Sequence, residues 1–153
     1  MNLKINLGNP KSAIETIRLI KENDYVPFDI RIFNTHITEL NKVIKRTVFR
    51  KDTVYFNSKS LWELMQDEGG KGRHHYHGLQ PKEIFEALLM LKKSKTVKCS
   101  YDNRYIVLTS AVTSQGIPLV VILKPNSVLS GKHNSNVVKI ITIYPFSRKH
   151  SIK

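Results

Sequence analysis

Only one cysteine, Cys99, stands in the 153 residues, so no disulfide can close within the chain. No apolar run reaches the length of a membrane span, and the opening "MNLKINLGNPKSAIETIRLI" has no apolar core of signal-peptide length. These shortages lead us to expect a protein of the reducing cytoplasm with no membrane partner. Acid is the next scarcity. Asp102 is the last carboxylate, and beyond it come Arg104, Lys124, Lys132, Lys139, Arg148, Lys149 and Lys153 with nothing to balance them. The lack of paired acids there argues against a magnesium-dependent two-metal nuclease more firmly than the histidines of the chain argue for any chemistry. A serine elbow is also missing, which leaves nucleophilic triads without support.

Positive charge is what the chain has in excess: 25 Lys and Arg against 12 Asp and Glu, a formal charge of +13. On a structured chain this favours a polyanion, because neutralised phosphates release counterions. The bland alternatives are solubility or an acidic protein partner.

Periodicity divides the chain. "PKSAIETIRLIKEND" and "THITELNKVIKRTVF" carry apolar stripes at helical spacing, and "SKSLWELMQDE" offers caps ahead of Leu61, Trp62, Leu64 and Met65. "VYF" at 54–56 is too short to assign. After "GGKGR", a linker by its glycines, Pro81 opens the most secure helix, residues 80–93, with Ile84, Phe85, Leu88, Leu89 and Leu91 on one face. The period then changes to that of short strands separated by "DN", "SQG" and a polar loop. We therefore expect an α+β fold: N-terminal helices in a region 1–70, then a domain 71–153 in which a helix packs on a four-stranded antiparallel meander.

Two-residue turns at Asp102–Asn103 and Gln115–Gly116 would set the register. They place Lys98, Tyr105, Thr109, Lys124, Thr142 and Tyr144 on an open sheet face, opposite a face holding Leu119, Val121, Leu123, Ile141 and Ile143. A slip of one residue would invert these assignments.

The stretch "GRHHYHGLQPKEIFEALLML" concentrates His74, His75 and His77 ahead of the secure helix. Three readings compete. A zinc site lacks a fourth ligand, since Cys99 is isolated. A solvated polar loop is the plain reading. Acid/base work suits imidazole near neutrality, and His77 is the best candidate because it lies closest to the free N–H groups of the helix start.

The motifs "HHYHGLQPKEIFEALL", "NRYIVLTS" and "ITIYP" make residues 71–147 resemble the phage-associated branch of the barnase/EndoU/colicin/RelE-like (BECR fold) ribonucleases. The resemblance implies a metal-independent endoribonuclease, a toxin of a phage, mobile element or toxin–antitoxin system, that needs no cofactor. His77 with His75, Arg104 and Tyr105, and the Thr142 and Tyr144 of "TIYP" would form its active site. Lys98, Tyr105, Thr109, Lys124 and Arg148 would hold RNA, whether tRNA or mRNA. The 2′-OH, losing its proton to a base, would attack the neighbouring phosphate and expel the 5′-oxygen, which an acid protonates, to leave a 2′,3′-cyclic phosphate and a 5′-hydroxyl end. An antitoxin or immunity protein would be acidic over the cleft. Two departures stand out: Gln80 where a Ser or Thr cap would be natural, and no glutamate base like that of barnase. The rival expectation is a non-catalytic basic nucleic-acid-binding module or regulator.

Overall fold

The computed structural model describes residues 3–67, 76–129 and 136–147. Its helices begin where the sequence offers caps. Asn9 accepts the Ser12 N–H ahead of α1, Pro10–Glu22, whose Ala13, Ile17 and Ile20 are buried at helical spacing. The expected helix over 35–49 shrinks to a 3-10 turn at Ile37–Glu39 and a short α2, Leu40–Ile44, because His36 and Lys45 both take left-handed backbone angles. Asn57 caps α3, Ser58–Met65, and α4 runs over Pro81–Met90. Gln80 is no defect as a helix start, since its N–H donates to Glu83 Oε1 at 2.7 Å.

Among the described residues, seven strands pair in one mixed sheet of order β1-β2-β3-β7-β6-β5-β4. They are β1 Lys4–Asn6, β2 Asp29–Phe33, β3 Val54–Asn57, β4 Thr96–Cys99, β5 Tyr105–Val112, β6 Pro118–Ser127 and β7 Val137–Pro145. The expected four-stranded antiparallel meander is thus corrected. Strands β4 to β7 do meander, but three strands from the first 57 residues extend the sheet, and the β1–β2 and β3–β7 pairs are parallel. β7 is the seam, parallel to β3 on one side and antiparallel to β6 on the other. Helices α1, α3 and α4 share one core with Ile5, Ile30, Ile32, Val54, Phe56, Val107, Val121 and Ile143.

Both hairpin turns are longer than expected. The first pairs Ser100 with Arg104 around a three-residue loop in which Asn103 is left-handed. The second pairs Thr113 with Ile117, with Gly116 in the left-handed position. The extra residue moves Cys99 opposite Tyr105 instead of Ile106. Tyr105, Val107, Thr109 and Ala111 therefore face the core, and Ile106 and Leu108 take the open side. Tyr105 and Thr109, expected on the open face, are buried.

Thr109 has a structural task instead. At the irregularity between Leu108 and Val112 its hydroxyl donates to the Leu119 carbonyl at 2.7 Å and accepts the Ala111 N–H at 3.3 Å. Thr109→Val keeps the shape but strands both buried partners, so urea unfolding should show a loss of about 1–3 kcal/mol. An unchanged midpoint would contradict this role.

Candidate nucleic-acid interface

Alternation along each strand decides what the uncovered face carries. Lys4 pairs with Arg31, Arg31 with Tyr55, Tyr55 with Lys139, and Lys139 with Lys124. Directly opposed residues share a face, and the neighbours of these five, Ile5, Ile30, Ile32, Val54, Phe56, Ile140 and Leu123, are buried in the core. Lys4, Arg31, Tyr55, Lys139 and Lys124 consequently form one transverse row on the open face. Four strand spacings make it about 19 Å long. No described helix packs on it. Asp29 lies beside the row with its carboxylate 3.8 Å from Lys139, and the Arg31 guanidinium sits 4.7 Å over the Phe33 ring.

The row runs into a cleft of about 310 Å³ at the start of β3. Arg31 and Tyr55 belong to both, and Arg50, Lys51, Thr53, Asn126 and Asn136 complete its polar lining, with no carboxylate among the lining residues. Lys4, Arg31, Arg50, Lys51 and Lys139 are the cations of this surface that sequence reasoning did not find. One signal was available: in "DIRIF", Arg31 stands between Ile30 and Ile32, the pattern of a strand buried on one side.

The residues singled out from sequence are dispersed. Lys98 is on edge strand β4 opposite Ile106, and Lys124 joins the row. Thr142 and Tyr144 reach the open face opposite Ile122 and Val120, in apolar company. The bulge there gives Ile140 and Ile143 to the core, where Ile141 and Ile143 were expected. Tyr105 instead accepts a hydrogen bond from Arg46 Nη2 and sets its ring against Phe49; burial raises its phenol above the ordinary value, as it does for Tyr144. His75 and Arg148 lie outside the described residues. His77 precedes Gly78 and Leu79, whose N–H groups donate to Gln66 and Leu64 at 2.7 and 3.0 Å, so its loop is held against the end of α3.

Arg104 and Thr142 do meet, in a second recess with Ile141 and with Ser60, Glu63 and Leu64 of α3. Arg104 Nε is 2.8 Å from Asp102 Oδ2. The Asp102 carboxyl titrates below its ordinary range, chiefly because the Ser100 hydroxyl donates to it, with the charges of Arg104 and Lys124 adding against partial desolvation. Among the described residues no group of three or more His, Cys, Asp and Glu could hold a metal ion. None of the described helices is long and apolar enough to cross a membrane. No family model, curated protein or solved structure matches the chain.

Opposed like charges at Lys4–Arg31 and Lys124–Lys139 cost stability that salt screens. The unfolding free energy should therefore rise as salt goes from low to about 0.3 M, and Lys124→Gln should flatten that rise more than Lys11→Gln, on exposed α1. Equal effects of the two substitutions in denaturant titrations would contradict repulsion within the row.

Proposed function

We propose that the protein binds single-stranded nucleic acid across the open face of its sheet. The observation that carries this is the row Lys4, Arg31, Tyr55, Lys139 and Lys124, four cations with an aromatic ring among them. Cations on a flat surface track a phosphate backbone, and a tyrosine beside them offers a platform for an unstacked base. A duplex presents no base face to such a ring, which favours the single strand. A cytoplasmic location belongs to the same proposal, and the free thiol of Cys99 is consistent with it.

Fluorescence anisotropy with a short single-stranded oligonucleotide tests this. The binding constant should fall with salt, and each of Arg31→Gln and Lys124→Gln should lessen the logarithmic slope by about 0.7. Tyr55→Ala should weaken binding by roughly fivefold to a hundredfold and leave the slope unchanged. Binding that ignores all three substitutions would refute the surface.

The recess of Glu63, Arg104 and Thr142 favours a second reading, RNA cleavage of the kind the ribonuclease resemblance implies. Glu63 supplies the carboxylate base that the sequence pattern lacked, and Arg104 a cation for charge building on the phosphate. Nucleic-acid binding by the row would then deliver the strand to this recess, and an acidic antitoxin or immunity protein would compete for the row. Incubating total RNA with the protein in EDTA should yield 2′,3′-cyclic phosphate ends, with Glu63→Gln lowering the rate by about a hundredfold or more. Intact RNA in the presence of folded protein would leave binding as the function.

A further inference from the structure

Both walls of the cleft beside Tyr55 are held in place before any ligand arrives. On one side, Asn41 Oδ1 accepts the N–H groups of Val48 and Phe49, each at 2.9 Å, and its amide donates to the Phe49 carbonyl at 2.7 Å. Phe49 itself is buried against Tyr105. Just beyond, the Asp52 carbonyl takes bonds from the Thr35 N–H and hydroxyl, and its carboxylate takes bonds from the Thr38 N–H and hydroxyl. Arg50 and Lys51 thus stand on a short segment pinned at both ends. Two exposed, flexible cations have been given a fixed base.

The opposite wall is built by a β-bulge. The β6–β7 register shifts between Lys124 and Ser127, Asn126 adopts a left-handed φ of 57°, and Ser127 Oγ donates to the Lys124 carbonyl at 2.9 Å. A bulge re-aims the side chain that it carries. Here Asn126 and Asn136 line the cleft together, and no described residue hydrogen-bonds either side-chain amide. The left-handed angle is one that asparagine tolerates better than most residues, which allows an amide to be placed at this bend. A volume of about 310 Å³ is at the small end for ligand sites and far too narrow for a duplex.

We infer that this cleft is a single-nucleotide specificity pocket: the base lies against Tyr55 with its edge read by the amides of Asn126 and Asn136, and its phosphate rests on Arg50 and Lys51. An amide offers a donor and an acceptor side by side, which matches adenine in bidentate fashion and leaves other bases less well paired. The row supplies affinity without sequence information, and the cleft adds the preference. This inference rests on the nucleic-acid reading above.

The test compares oligomers of adenylate, cytidylate and uridylate, equal in length, by anisotropy. Wild-type protein should bind adenylate best, with a spread of roughly fivefold or more between best and worst. Asn126→Ala with Asn136→Ala should collapse the spread to within about twofold and leave the salt slope unchanged. Arg50→Gln with Lys51→Gln should weaken all three equally and lessen the slope by about 0.7, the one phosphate they hold. A wild-type spread under about twofold, or a spread that survives the loss of both asparagines, overturns the pocket and leaves the binding face standing. Failure of the wild-type protein to bind any oligomer overturns both.

Discussion

The placement of β7 is the constraint on which the rest depends. It pairs in parallel with β3 through Val54–Val138 and Phe56–Ile140, and antiparallel with β6 through Val121–Ile143 and Leu123–Ile140. Ile140 and Ile143 are three residues apart, a spacing that strict alternation cannot put on one face. The extra residue at Ile141 reconciles them, so that the core is sealed along the whole strand while Lys139 and Thr142 remain outside. Moving β7 by one residue would bury Lys139 and break the row between Lys124 and Tyr55.

That row is expensive for the fold and useful for a ligand. Lysine opposite lysine and lysine opposite arginine each oppose folding, and Asp29 offsets part of this beside Lys139. The apolar core on the other face, from Ile5 to Ile143, is what holds the strands together. The polyanion proposed as ligand would reverse the sign of the local electrostatics, so that the least favourable feature of the free protein would become the most favourable one of the complex.

How much of this was legible in the sequence varies element by element. Helix α4 and the strands β4 to β7 could be read, because their apolar periods are long and their turns carry Asp102–Asn103 and Gln115–Gly116. Strands β1 to β3 could not. They span three to five residues, and they find partners through a helix or across the chain with no hairpin turn to announce them. The register of the first hairpin failed on one residue: Asn103 in a left-handed angle makes a three-residue loop, and Tyr105 and Thr109 turned inward as a result. The candidate site suffered accordingly. Lys124, Thr142 and Tyr144 were read as open-face residues and lie there, but the row of cations runs over β6, β7, β3, β2 and β1, and three of those five strands are ones that local pattern does not reveal. Arg50, Lys51 and Asn126 depend on a clamped loop and a bulge, features set by tertiary hydrogen bonds.

The binding face is checked most directly by amide chemical-shift mapping while a single-stranded oligonucleotide is titrated into labelled protein. The largest shifts should fall on Lys4, Arg31, Tyr55, Lys124 and Lys139 and on the cleft beside them. Shifts concentrated on α1 and α4, with those five residues unmoved, would contradict that face.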